Sequence, residues 1–123
     1  MSPLLPAIAF AVLACVPACV QVALAFGAPL GRLTMGGRWP GRLPRHARLL
    51  ALVQAGLLAL MAWVVLAVAR GELPSWPVWL VVGVQGLSVV AHVVTPSRAE
   101  RRLWLPFVAG MLACAIAVGV LAG

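Results

Sequence analysis

Four long apolar stretches divide the chain, separated by short segments where glycine, proline and arginine concentrate. They run from about 4 to 26, 44 to 70, 76 to 95 and 98 to 122. Each is near the roughly 20 residues a helix needs to cross a hydrocarbon core of about 30 Å. The pattern predicts an all-α membrane protein: an antiparallel bundle of four transmembrane helices, one domain over residues 1–123, with connecting loops at 27–43 and 96–102.

The ends of these stretches carry the punctuation that helices use. Gly27 follows the first, and Arg70-Gly71 ends the second with a cation and then a residue that tolerates a left-handed cap. Ser75 is a candidate N-cap for the third, with Pro77 tolerated in the first turn and Pro96 stopping it. Ser97-Arg98-Ala99-Glu100 reads as a capping box for the fourth. Pro17 and Pro106 fall inside helices and are expected to kink them.

Composition agrees with the pattern. At 64% hydrophobic and 9% charged, with a mean hydropathy of +1.12, the chain exceeds what a water-soluble domain can bury. Asp, Asn and Tyr are absent and Glu72 and Glu100 are the only acids, so neither an oxygen-ligand metal cage nor a carboxylate pair can be assembled. No cofactor or metal set is expected. The absence of lysine has a plain explanation in GC-rich coding, so the positions of the arginines say more than their identity.

Arg32, Arg38, Arg42, Arg45 and Arg48 lie in or beside the first loop, and Arg98, Arg101 and Arg102 in or beside the last. Only Arg70, opposed by Glu72, lies on the other side. The positive-inside rule then places the arginine loops in the cytoplasm of a bacterial inner membrane and both termini outside. Trp39, Trp76, Trp79 and Trp104 fall near span ends, as interfacial anchors do. Ala23-Leu24-Ala25 resembles a signal-peptidase site, but the uncharged Met1-Ser2-Pro3 and the interrupting Pro17 favour a retained first span.

Small residues recur every four positions at Ala7, Ala11, Cys15, Cys19 and Ala23, and at Ala47, Ala51, Ala55 and Ala59. Such rows let helices approach closely in lipid, and both read as packing seams, within a subunit or between copies. Cys15 and Cys19 are spaced one residue wider than a thioredoxin-type pair and lie at mid-membrane depth, so they read as small residues rather than reactive thiols. A disulfide from Cys114 to the first helix is conceivable but not favoured.

The most informative polar residues are Gln85, Ser88 and His92, which share one face of the third helix. Gln21 and Gln54 lie in the same half of their spans, so the five can gather into one buried cluster. That cluster is either a pocket entered from the arginine side or a set of interhelical hydrogen bonds of about 0.6 kcal/mol each. As a haem ligand His92 lacks a partner within the chain, since His46 belongs near the surface. The eight clustered arginines suit anionic lipid headgroups or an anionic solute. Glu100 is expected to cap the fourth helix and pair locally with arginine, and nucleic-acid binding is not expected because the basic residues sit in short membrane-tied loops.

The loop residues Gly27-Ala28-Pro29-Leu30-Gly31, Gly36-Gly37, Gly41-Arg42-Leu43-Pro44, Arg48, Arg70-Gly71, Ser97, Glu100-Arg101 and Pro106 resemble a pattern of uncharacterised small four-span bacterial integral membrane proteins. The resemblance covers most of the chain. It implies a four-helix membrane fold and no activity to transfer, and His92 stands where that family's third span carries Asn. Small multidrug transporters and fluoride channels share the size and span count, but their signature residues are missing here.

On these grounds an accessory or scaffold protein acting through helix packing ranks first. A homo-oligomeric transporter or channel for a small solute, with an anion among the candidates by virtue of the arginines, ranks second. A lipid-modifying or quinone-reactive enzyme comes last, for want of a nucleophile with a base. Expected partners are the bilayer with its anionic headgroups and a second copy or a larger membrane protein.

Overall fold

The computed structural model describes residues 2–123 and consists of four helices, α1 Leu4–Ala25, α2 Arg45–Ala69, α3 Trp76–Val94 and α4 Arg98–Ala122. All four are long and apolar enough to cross a membrane. They form an antiparallel bundle in which α1 packs broadly on α2 and on α4, and α4 packs on α3. Contact between α2 and α3 is sparse, so the ring of helices has one weak side. Large apolar side chains such as Val53, Leu87 and Val120 cover the outside, where lipid rather than water solvates them.

The tight core occupies the half of the bundle that holds the two chain ends. There Ala7, Phe10 and Ala14 of α1 meet Met61, Val65 and Val68 of α2, Val78 and Val81 of α3, and Met111, Ala115 and Val118 of α4. Gly119 lets the Trp79 ring lie against α4, since a Cβ there would come within 2.7 Å of the ring. In the other half, Leu24 packs with Leu43, Ala47 and Ala51, joining α1 to the loop and the start of α2. Space between α2, α3 and α4 at that end is not filled by side chains.

The helix ends follow the sequence closely. Ala28 N–H donates to Ala23 O and Gly27 N–H to Leu24 O, and Glu72 and Gly71 repeat the arrangement on Ala67 and Val68. Both are Schellman caps, with Gly27 at φ 97° and Gly71 at φ 77°. Ser97 Oγ caps α4 by accepting from Glu100 N–H at 3.2 Å. Ser75 departs from expectation: it begins α3 without a side-chain hydrogen bond. Helical backbone continues through Pro17 and Pro106.

Within the chain, only part of each small-residue row packs against a neighbouring helix. Ala7 is buried and Ala11 and Ala23 partly so, whereas Cys15 and Cys19 are exposed; on α2, Ala47, Ala51 and Ala55 are buried and Ala59 is exposed. The reason is geometric, because a strict four-residue row drifts by about 40° per step around a helix of 3.6 residues per turn. The buried stripe on α1 instead passes through Phe10, Ala14 and Leu24. All three cysteines are free.

The long loop folds back over the open end of the bundle. Gly31 N–H donates to Gly41 O at 2.9 Å and Arg32 N–H to Pro40 O at 3.2 Å, closing its neck. Two short 3-10 turns, Gly31–Leu33 and Met35–Gly37, lie between, with positive φ at Met35, Gly36 and Gly37. Trp104 Nε1–H donates to Leu33 O and Ser97 Oγ–H to Arg32 O, fastening the loop to α4. Trp104 is therefore not an outward-facing anchor: only 5% of it is exposed, and its indole holds the loop.

The neck leaves no room for a side chain at Gly31, where a Cβ would sit 1.7 Å from Trp39 O, while a Cβ on Gly41 meets nothing within 4 Å. Gly31→Ala is expected to lower the stability of the detergent-solubilised protein by on the order of 2 kcal/mol, and Gly41→Ala to change it little. Thermal unfolding of the two variants checks this, and equal midpoints would contradict the described loop.

Candidate functional site

The unfilled space is a single chamber of about 430 Å³ beneath the loop. α1 contributes Pro17 and Gln21, α2 Gln54 and Met61, α3 Gln85, Ser88 and His92, and α4 Glu100, Trp104 and Met111, while Leu33, Thr34 and Met35 roof it. All five polar residues singled out from the sequence line this one cavity. They reach it because Gln21, Gln54, Ser88 and His92 lie in the loop-end halves of their helices and Gln85 at the middle of α3. Gln85 lies nine positions from the end of α3, about 14 Å of helix rise below the loop end. The most exposed lining residues, Leu57, Val84, Leu87 and Ala91, belong to α2 and α3, so the chamber opens between those helices.

The polar groups are unequally satisfied. His92 Nδ1 is 2.7 Å from Ser88 O, and since a carbonyl only accepts, that nitrogen carries a proton. In the tautomer protonated there, Nε2 is the acceptor. Gln85 Nε2–H donates to Met61 Sδ at 3.7 Å, a weak bond to a soft acceptor. The amide oxygens of Gln85 and Gln21 are buried and have no hydrogen-bond partner. Gln85 as a whole is only 2% exposed. Most buried polar atoms are paired, so two unpaired oxygens on residues that line one cavity are exceptions.

Glu100 belongs to this site, which sequence reasoning did not foresee. Its backbone N–H donates to the expected serine cap, but its carboxylate does not pair with arginine. Oε2 accepts from Gly36 N–H at 2.8 Å and from Thr95 Oγ1–H at 3.2 Å. Oε1 stands 3.8 Å from His92 Nε2. The reciprocal arm of the capping box is lost as well, because Ser97 N–H turns to Thr95 Oγ1 at 3.4 Å. Glu100 is thus a buried carboxylate at the positive end of α4, holding the loop and facing the chamber. Its one visible signal in the sequence was being the lone acid in an arginine-rich segment.

The arginines stand outside. Arg32, Arg38, Arg42, Arg45, Arg98 and Arg102 are exposed, and Arg48 and Arg101 partly so. Arg38 lies 5.1 Å from the Trp39 ring centroid, and that ring meets His46 edge-on. Arg101 donates to Thr95 O at 3.1 Å, satisfying a carbonyl at the end of α3. Arg70 pairs with Glu72 at the opposite end of the bundle. No arginine lines the chamber among the described residues, so the cavity itself is rich in acceptors rather than in positive charge. The same residues contain no group of three His, Cys or acidic side chains placed to hold a metal ion.

Comparison of the chain with protein-family models, curated proteins and solved structures finds no match.

An unpaired buried oxygen is a local cost that an apolar side chain removes. Gln85→Leu is expected to leave the bundle as stable as wild type or more stable by about 1 kcal/mol. Unfolding in detergent measures it, and a loss of more than about 1 kcal/mol would mean that the amide holds the helices together instead of serving the cavity.

Proposed function

We propose that this multi-pass protein resides in the bacterial cytoplasmic membrane with its arginine-rich end in the cytoplasm and both termini outside, and that it binds a small solute in the chamber at that end. The observation that carries the reading is the pair of unpartnered amide oxygens, Gln21 and Gln85, on one cavity. A purely structural polar cluster satisfies its members; this one leaves acceptors vacant. The orientation is supported by the eight arginines gathered at the loop end of the bundle, where they also suit anionic lipid headgroups.

The action we propose is binding, with transport across or within the bilayer as its natural extension, and not catalysis. The one acidic side chain in the cavity is committed through Oε2 to the loop and to Thr95, and Ser88 Oγ, though 3.4 Å from His92 Nδ1, faces a nitrogen whose proton is directed to Ser88 O and so meets no base there. The acceptor-rich lining favours a solute that donates hydrogen bonds over an anion. A second reading, an accessory protein that assembles through α1 with a second copy or another membrane protein, draws on Cys15 and Cys19, small residues that face outward.

Gentle extraction from native membranes followed by mass spectrometry tests the binding role. Wild type is expected to retain a donor-bearing small molecule that Gln85→Leu and His92→Ala both lose. Identical, empty spectra for all three proteins would contradict it.

A further inference from the structure

The chamber does not end at its polar wall. Leu57, Met61 and Val84 also line a second cavity of about 190 Å³, completed by Leu60, Val64, Pro77, Leu80 and Val81. Every residue of this trough is apolar, and it follows the sparse α2–α3 contact away from the loop end. From Val84 to Pro77 it extends about 10 Å along α3. Polar acceptors therefore lie at the arginine end and an apolar channel leads from them into the body of the bundle, in the order in which a lipid of one leaflet places head and chain.

We infer that the ligand is a single-chain amphiphile whose head donates hydrogen bonds, a primary amine or an alcohol, entering sideways from the bilayer between α2 and α3. This rests on the chamber being a binding site and names the class of molecule it takes. The head requirement follows from acceptors on the lining residues: Gln21 Oε1 and Gln85 Oε1, buried without partners and brought to the cavity by rotation of their amides, His92 Nε2 with its other nitrogen committed to Ser88 O, and Glu100 Oε1. An acceptor-only head leaves every one of these unpaired, and a quaternary ammonium brings charge but no N–H. The chain requirement follows from the trough, where a water-soluble solute leaves apolar walls without contacts. Lateral access follows from the exposed lining residues on α2 and α3, while the loop fastened by Glu100, Ser97 and Trp104 closes the end of the bundle.

The full chain in lipid nanodiscs, mixed with decylamine, decanol, decyltrimethylammonium, butylamine or butanol and measured by native mass spectrometry against empty discs, tests this. Decylamine or decanol is expected to form a saturable one-to-one complex at least tenfold tighter than decyltrimethylammonium, weakened tenfold or more by Gln85→Leu. The Leu60→Trp/Leu80→Trp double variant, at exposed trough positions, is expected to weaken the decyl complex while leaving butyl binding unchanged. Butyl probes binding as tightly as decyl ones would overturn the amphiphile and leave the chamber standing. Equal binding of decyltrimethylammonium would overturn the donor head. No complex with any probe would overturn the inference and, if native preparations are also empty, the binding role beneath it.

Discussion

A polar atom below the surface of a bilayer must find its partner within the protein, and the rest of this structure depends on that constraint. It explains why the spanning segments are helices and why their ends are capped by backbone and side chain with little left over. Gly27 and Gly71 close α1 and α2 with Schellman bonds, Ser97 caps α4, and Arg101 takes up a carbonyl at the end of α3. Against that background Gln21 Oε1 and Gln85 Oε1 are exceptions, and they lie on the same cavity. Stability alone does not account for keeping an amide at a position 2% exposed whose best partner is a thioether at 3.7 Å.

The same constraint gives Glu100 its place. A carboxylate in this setting needs donors, and it finds them in Gly36 N–H and the Thr95 hydroxyl, at the N-terminus of a helix whose dipole favours negative charge. Because one donor comes from the loop and one from the end of α3, the carboxylate ties loop, α3 and α4 together at the mouth of the bundle. Gly36, at φ 70°, presents its N–H from a backbone conformation that a β-carbon disfavours. The loop is thereby a lid with a fixed seat, and the weak side of the bundle remains the α2–α3 seam.

Much of this was legible in the chain. Four spans, their ends to within two residues, both glycine caps, the serine cap and the convergence of Gln21, Gln54, Gln85, Ser88 and His92 all follow from local rules of length, periodicity and capping. What escaped were features that depend on how helices rotate and where the loop returns. Cys15, Cys19 and Ala59 keep a four-residue period yet turn away from the core, because helical drift accumulates along the row. Trp104 at a span end reads as an anchor until the loop is folded onto it, and Glu100 amid arginines reads as their partner until Gly36 is brought beside it from 64 positions away. Local patterns carry no information about contacts of that range.

The account describes a bundle packed tightly at one end and opened at the other around a polar chamber lined by amides, an imidazole, a hydroxyl and a carboxylate. Cysteine labelling tests this most directly, in a background with Cys15, Cys19 and Cys114 replaced by alanine. Ser88, on the chamber wall about 9 Å below the loop end, becomes Ser88→Cys, with Val90→Cys on the outward face of the same helix as control. The account predicts that decylamine slows modification of Ser88→Cys by a membrane-permeant thiol reagent and leaves that of Val90→Cys unchanged. No slowing at Ser88→Cys, or equal slowing at both positions, would contradict it.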